Sequence, residues 1–370
     1  MHNPRGGIMS EELLAEPAMS ERLRLWLEGG RPGPGIRDAL MVGDVDEERM
    51  RLLPASGTSL VFVEESQVET AKSLTTSTVV GYSGEFSTNG GEIGIGDSFV
   101  LQLEGYATAP YVAISCPTVF SLDEDADREA AAADADTAFA SGVFPRFLLT
   151  QLVTVLDQQF WQNSGRLGTD PARLYVAEGG SELLSGPAGG SVEVSGDSCR
   201  TSAPVAGEDN ARLLADNPGI GRFFGAAKVL RAAQSRFPAG VQVAGFGFRL
   251  VQGETPGERS RRDSVYVLVA EDAYYLTDLS TGKLSKVPKD VAEVVECVLS
   301  AAEPSQELQA RLGLKLSGKD LSPAAQIRRS KELQKLFEHL AIAPETETPG
   351  IPAVAVPVNP ALTIVPVIVT

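Results

Sequence analysis

The last twenty residues, Ile351 to Thr370, constrain the fold of this chain more than any other stretch. They carry no charged side chain, and four prolines interrupt a dense run of Val, Ile, Leu and Ala. The length would suit a membrane-spanning helix. However, each proline in a helix interior costs about 3 kcal/mol, and no basic flank or aromatic belt is present. We therefore expect no stable membrane insertion and an extended conformation for the tail.

Three interpretations of this tail remain open. Residues 361–370 are β-prone and could complete a sheet as a buried strand, where Pro366 would tolerate only an edge position. The same segment could be an arm that docks on a neighbouring subunit. Alternatively, residues 321–370 have the layout of a peptide precursor, with a helix, a polar linker and an apolar core, and Thr370 is then the candidate modified residue. A disordered tail fits less well, because it would expose an aggregation-prone segment.

Composition excludes several function classes. The net charge of −17 would repel phosphate backbones, so we expect no nucleic-acid partner. The cysteines Cys116, Cys199 and Cys297 are widely spaced, which argues against a disulfide framework and favours a reducing cytoplasm. The two histidines, His2 and His339, lie near the ends, so zinc and Ser-His-Asp sites lack their usual ligand or base. We expect no metal and no cofactor, and we favour a protein without catalytic activity.

The pattern along the chain predicts an α+β fold with a β-rich N-terminal block. Residues 57–120 are typical of short strands, with a hairpin turn at "STNGG" (87–91). Helices are expected at 10–28, 144–161, 288–302 and 321–343, and one or two helices at 209–237. Further strands are expected around 172–179, 190–196, 241–253 and 264–279. The expected divisions are an N-terminal helix and linker (1–35), a β-rich α+β domain (36–165), a second α+β domain (166–304), a helical segment (305–343) and a linker with the apolar tail (344–370).

A glycine-rich stretch at Gly219, Gly221 and Gly225 is one residue longer than the dinucleotide-binding fingerprint. A phosphate site would need a strand directly before it. The preceding "LLADNP" instead indicates a helix end and a turn, which favours close helix packing.

Acidic residues alternate at Asp123, Asp125 and Asp127, as at the start of a calcium loop. Arg128 stands where that loop needs glycine, and Asp134 stands where it needs a bidentate glutamate. Acidic residues at a helix N-terminus are the better interpretation.

Residues 264–300 are the most informative part of the folded region. Val265, Val267 and Val269 alternate along one strand, a second strand follows, and a "TGK" turn leads to a third strand and a helix. In this order, "YYLTDLSTGKLSKVPKDVAEVV" (274–295) resembles PqqD-like modules, the leader-recognition domains of pathways for ribosomally synthesised, modified peptides (RiPPs). The apolar tail ending in Thr370 is similar in composition to daptide precursors.

The resemblance implies a winged-helix-like module in which a leader peptide adds as an extra strand to the hairpin edge and lies against the following helix. The residues that would form the peptide-binding wall are on the strands and the helix: Tyr266, Leu268, Tyr274, Leu276, Val291, Val294 and Val295. The alternative, that these residues form the core of the module, stays open.

Three functional hypotheses follow, in decreasing order of support. The first is a non-catalytic peptide-recognition or scaffold protein of a RiPP pathway, whose partners are a precursor or leader peptide and peptide-modifying enzymes. The second is a structural or assembly protein whose apolar C-terminal arm docks on a neighbouring copy in a homo-oligomer. The third is an enzyme that uses the loop 219–225, and it ranks last because no acid, base or nucleophile accompanies the loop.

Overall fold

The computed structural model describes residues 16–97, 99–113, 116–162, 170–201, 203–251, 264–279, 283–300 and 363–366. Within these ranges the protein has the expected α+β fold, with two large sheets and a small hairpin. No helix among the described residues is long and apolar enough to cross a membrane.

The first sheet has eight strands in the order β7-β6-β5-β4-β3-β2-β1-β8. The strands are β1 (Arg37–Met41), β2 (Thr58–Glu64), β3 (Thr78–Glu85), β4 (Gly91–Ile95), β5 (Phe99–Gly105), β6 (Thr118–Ser121), β7 (Val153–Val155) and β8 (Arg173–Val176). Within this sheet β4 runs antiparallel to both neighbours, and every other pairing is parallel.

The helices of the described residues are short to medium in length. They are α1 (Glu16–Leu27), α2 (Glu47–Met50), α3 (Val68–Leu74), α4 (Ala109–Val112), α5 (Asp125–Ser141), α6 (Gln158–Gln162), α7 (Glu208–Asp216), α8 (Gly219–Ala233) and α9 (Lys289–Ser300). Two 3₁₀ turns span Glu65–Gln67 and Arg146–Leu149.

Side chains alternate cleanly between the two faces of the first sheet, as a period of two requires. On one face Leu40 and Phe62 pack with Leu23, Trp26 and other apolar residues of α1. On the other face α2 and α3 cover β1, β2 and β8, while α5 and α8 cover β6 and β7. The sheet is therefore sandwiched between α1 and the outer helices.

The two edges of this sheet approach each other across the end of α1. Asp157 follows edge strand β7, Arg173 begins edge strand β8, and their side chains form a buried ion pair. Arg173 also donates to the carbonyl oxygens of Trp26 (2.7 Å) and Leu27 (3.0 Å), and the Asp157 amide donates to the Leu27 carbonyl (3.0 Å). The sheet is thus curled, and the last turn of α1 closes the gap between its edges.

The second sheet has five strands in the order β11-β12-β13-β14-β15. They are β11 (Gln242–Val243), β12 (Val265–Ala270), β13 (Ala273–Asp278), β14 (Lys283–Val287) and β15 (Thr363–Pro366), and a separate hairpin joins β9 (Val192–Ser195) to β10 (Ser198–Thr201). Helix α8 lies between the two large sheets, because one core contains its phenylalanines together with Phe120 of β6 and Tyr266 of β12.

Most predicted elements are present, and the exceptions are instructive. The hairpin at "STNGG" is confirmed as β3–β4, the stretch 209–237 forms α7 and α8, and the helix at 288–302 is confirmed as α9. The single helix expected at 144–161 is wrong: this stretch forms a 3₁₀ turn, β7 and α6. The cause is tertiary, since β-branched Val153–Val155 pairs in parallel with β6.

Other expectations are met only in part. The stretch 57–120 contains the five strands β2 to β6, but α3 and α4 interrupt it. The strand expected at 241–253 is limited to Gln242–Val243. The expected boundary at 165/166 lies between two strands of one sheet, because β8 pairs with β1. The helix predicted at 321–343 lies outside the described residues.

Candidate peptide-binding site

A tight turn sets the register of the hairpin at the centre of the second sheet. Ala270 pairs with Ala273, which leaves Glu271 and Asp272 as a two-residue turn. Both turn residues have positive φ, 51° and 59°. This is the type I′ geometry, whose twist matches that of the flanking strands.

This register decides which of the proposed peptide-contacting residues share a face. Leu276 of β13 pairs with Val267 of β12, whereas Leu268 pairs with Tyr275. Tyr266 and Leu268 consequently face away from Leu276, since side chains alternate along each strand. The structure brings five of the seven candidate residues together on the α9 side and places the other two on the α8 side.

The α9 side of the sheet forms a continuous apolar layer. Leu276, Val294 and Val295 are buried in it, and Tyr274 and Val291 are half-buried and pack against it. These five candidates therefore contribute to the core between the sheet and α9. Tyr274 and Val291 retain exposed surface through which a bound peptide could also be contacted.

The α8 side holds the two remaining candidates firmly. Tyr266 is fully buried, and its ring lies 4.6 Å from the guanidinium carbon of Arg222. Its hydroxyl donates to the Arg222 carbonyl (3.2 Å), and Arg222 donates to the Val265 carbonyl (3.0 Å). Leu268 is also fully buried, in the same core. The role that the geometry supports for both residues is attachment of β12 to α8.

The outer edge of β14 carries the most informative feature of the site. The segment Thr363–Pro366 pairs with it as a parallel strand, placing Thr363 opposite Lys283 and Ile364 opposite Leu284. The register continues with Val365 opposite Ser285 and Pro366 opposite Lys286. Part of the apolar tail therefore forms an edge strand, as the strand interpretation of this segment requires.

Pro366 limits how this strand can be paired. Proline has no amide hydrogen, so it fits an edge strand when its nitrogen faces away from the neighbouring strand. Successive residues of a strand direct their amides to opposite sides. We therefore expect the amide of Val365 to face β14 and that of Ile364 to face away.

The strand β14 itself is half polar. Lys283 and Lys286 are exposed, whereas Leu284, Ser285 and Val287 are buried. Lysines at an edge discourage indiscriminate strand pairing.

A buried glutamate fixes α9 against the rest of the module. The Glu296 side chain is 4% exposed and accepts hydrogen bonds from the amides of Leu250 (2.6 Å) and Val251 (3.0 Å). Burial raises the pKa of Glu296, and the two amide bonds oppose that shift. This contact ties the helix to the segment after β11, so the layer behind β14 is held in place.

The other stretches singled out in the sequence have structural roles. Gly219, Gly221 and Gly225 are buried within α8, which follows a helix and not a strand. Asp127 belongs to a capping box at the start of α5 and also accepts the Ala107 amide (2.9 Å). Among the described residues, no group of three or more His, Cys, Asp or Glu side chains could hold a metal ion.

The residues that the sequence argument missed are those of the outer edge, Leu284 and Ser285. To find them, one must know that β11 pairs with the outer side of β12. A strand that is added to β12–β14 must then pair with the outer side of β14. The sequence predicted a strand at 241–253, but it did not show that Gln242–Val243 pairs with β12.

Comparison with known proteins adds no assignment. No protein-family model matches this chain, and neither curated proteins nor solved structures yield a match. The functional argument therefore rests on the geometry of the β14 edge.

Proposed function

We propose that this protein is a non-catalytic peptide-recognition scaffold of a RiPP pathway. It binds an extended peptide by strand addition at the outer edge of β14 and presents that peptide to separate modifying enzymes. The resemblance of residues 264–300 to PqqD-like modules supports the assignment to such a pathway. The pairing at the outer edge of β14 supports binding by strand addition.

One observation carries the proposal. The β14 edge pairs with an uncharged, β-prone segment of the chain itself over four residues. In strand addition, backbone hydrogen bonds provide affinity, and pockets for alternate side chains provide selectivity. The sheet supports this mode because α9 backs one face and α8 backs the other.

The second candidate is an assembly protein, and the same strand favours it. An edge strand near the end of a chain can pair with the same site on a neighbouring copy, which produces a dimer or a larger assembly by strand exchange. The two functions differ in the partner of β14: a separate peptide in the first and another copy of this chain in the second.

A site-specific cross-link distinguishes these partners. Benzoylphenylalanine, a photo-reactive amino acid, is placed at exposed Lys286 on β14 in the full chain. The protein is expressed in its native host as a mixture of ¹⁴N- and ¹⁵N-labelled copies. A matched control carries the probe at exposed Thr70, on α3 and outside the second sheet.

The recognition function predicts cross-links from position 286 to a short, separately encoded peptide, and none of these from position 70. Mixed ¹⁴N/¹⁵N cross-links between position 286 and the tail of another copy would favour the assembly function. Cross-links only within a single copy, with no peptide captured, would contradict both.

A further inference from the structure

We propose that the segment Thr363–Pro366 regulates the peptide site in cis, by occupying the β14 edge until a peptide displaces it. This inference rests on the proposed function and adds its regulation. The tail would then be a built-in competitor.

The tail segment and a bound peptide cannot occupy this edge of β14 at the same time. The strand β13 takes one side of β14 in an antiparallel ladder, and β15 takes the other side. Each backbone amide and carbonyl on the outer side of β14 can form ladder hydrogen bonds with only one neighbouring strand. A peptide that adds to β14 must therefore first remove Thr363–Pro366.

The tail segment has the chemistry of such a ligand, because it is uncharged and pairs through its backbone. Thr363–Pro366 covers Lys283 to Lys286, four of the five residues of β14. A peptide that pairs with all five residues of β14, Lys283 to Val287, forms a longer ladder than these four residues do. Such a peptide displaces the tail segment when it binds the edge more tightly than the tail does in cis.

Connection to the same chain determines the strength of the competition. Residues 301–362 link α9 to β15, and chain-linked segments typically reach effective concentrations on the order of 1 mM. If the free segment binds with a dissociation constant of about 10–100 μM, its cis copy weakens a competing peptide about 10- to 100-fold. Releasing the tail should recover that factor.

The test compares full-length variants that differ in one backbone amide. Val365→Pro removes the amide that faces β14, and Ile364→Pro places the same residue where the amide faces away. Val365→Ala controls for the lost side chain. The probe is a fluorescein-labelled peptide copying residues 359–370, with three added lysines for solubility, and binding is followed by fluorescence anisotropy.

We expect the Val365→Pro protein to bind the probe about 10- to 100-fold more tightly than the wild type, with Ile364→Pro and Val365→Ala close to the wild type. Equal affinity of the wild type and Val365→Pro would overturn the cis-competition and leave the binding site standing. No binding to any variant would instead refute the proposed function.

A second measurement uses the wild type alone, so it does not depend on a variant folding. Hydrogen exchange is measured with and without saturating unlabelled probe. Displacement predicts that the amide of Val365 loses protection while the amides of β14 keep theirs. A tail that stays protected at saturating probe contradicts the inference.

Discussion

The buried ion pair between Arg173 and Asp157 should be the most sensitive point of the fold. Arg173 is 1% exposed. Besides Asp157 it donates to the carbonyl oxygens of Trp26 (2.7 Å), Leu27 (3.0 Å) and Ser185 (3.3 Å), and its guanidinium carbon lies 4.8 Å from the Trp26 ring centroid. One side chain therefore joins both edges of the first sheet to the end of α1.

Replacing Arg173 with Met keeps most of the apolar stem and removes every donor. Three buried carbonyl groups each lose a bond worth about 1 kcal/mol. The carboxylate of Asp157 is left unpaired in the interior, which costs about 3 kcal/mol or more. We expect a loss of unfolding free energy on the order of 6 kcal/mol, a large share of the typical total.

Urea unfolding followed by tryptophan fluorescence measures this loss, and Trp26 reports directly on the site. The matched control is Arg212→Met, which breaks another Arg–Asp pair (2.9 Å to Asp209) whose side chains are 69% and 59% exposed. Exposed pairs contribute about 0–1 kcal/mol. If Arg173→Met were no more destabilising than Arg212→Met, the closure of the sheet by this ion pair would be refuted.

Three further predictions address pH and backbone conformation. Burial raises the pKa of Asp157 to about 6. The stabilisation that comes from binding a proton at Asp157 is therefore fully present below the unfolded pKa near 3.9 and is lost as pH rises through 6. Asp157→Asn should remove this part of the pH dependence of the urea midpoint, and an unchanged pH dependence would contradict the raised pKa. Glu271→Gly should raise the unfolding free energy in thermal melts by about 0.5–1 kcal/mol, because Glu271 has a φ of 51°, which glycine adopts without strain. A loss of stability would argue against the type I′ turn. Gly247→Ala should destabilise the protein by about 2 kcal/mol more than Gly90→Ala in urea unfolding. Both glycines have a positive φ, but of the two only Gly247 is so close to another backbone segment that an added Cβ would lie 2.3 Å from the Ser141 carbonyl carbon. Equal losses of stability would show that the backbone relaxes around the added Cβ.

The sequence predicted elements well where periodicity and turn chemistry agreed. Val291, Val294 and Val295 of α9 lie on one face, and Asn89-Gly90 marks the turn between β3 and β4. The stretch 144–161 failed because a continuous apolar run does not distinguish a buried helix from a buried strand. What decided its structure was the pairing of Val153–Val155 with β6, a contact between distant parts of the chain.

The candidate site was predicted less accurately than the elements around it, for a specific reason. The face that each residue of a hairpin occupies depends on the turn length, and a one-residue shift moves every side chain to the other face. Here the turn is Glu271-Asp272, which lacks the Asn-Gly or Asp-Gly pattern that would have identified it. Without that register, Tyr266 and Leu268 were grouped with Leu276, although they belong to the opposite face.

The prolines of the tail predict its conformation but not its pairing partner. They predict that residues 351–370 are not helical, and Pro366 restricts its own strand to an edge. They do not select the edge, because that depends on which strands the rest of the fold leaves unpaired. The long antiparallel meander β12–β14 is closed on one side by β11, so the apolar segment finds its partner on β14. The edge that accommodates the tail is the one that a peptide or a second copy would need, so competition for β14 would connect the fold to both the recognition and the assembly proposals.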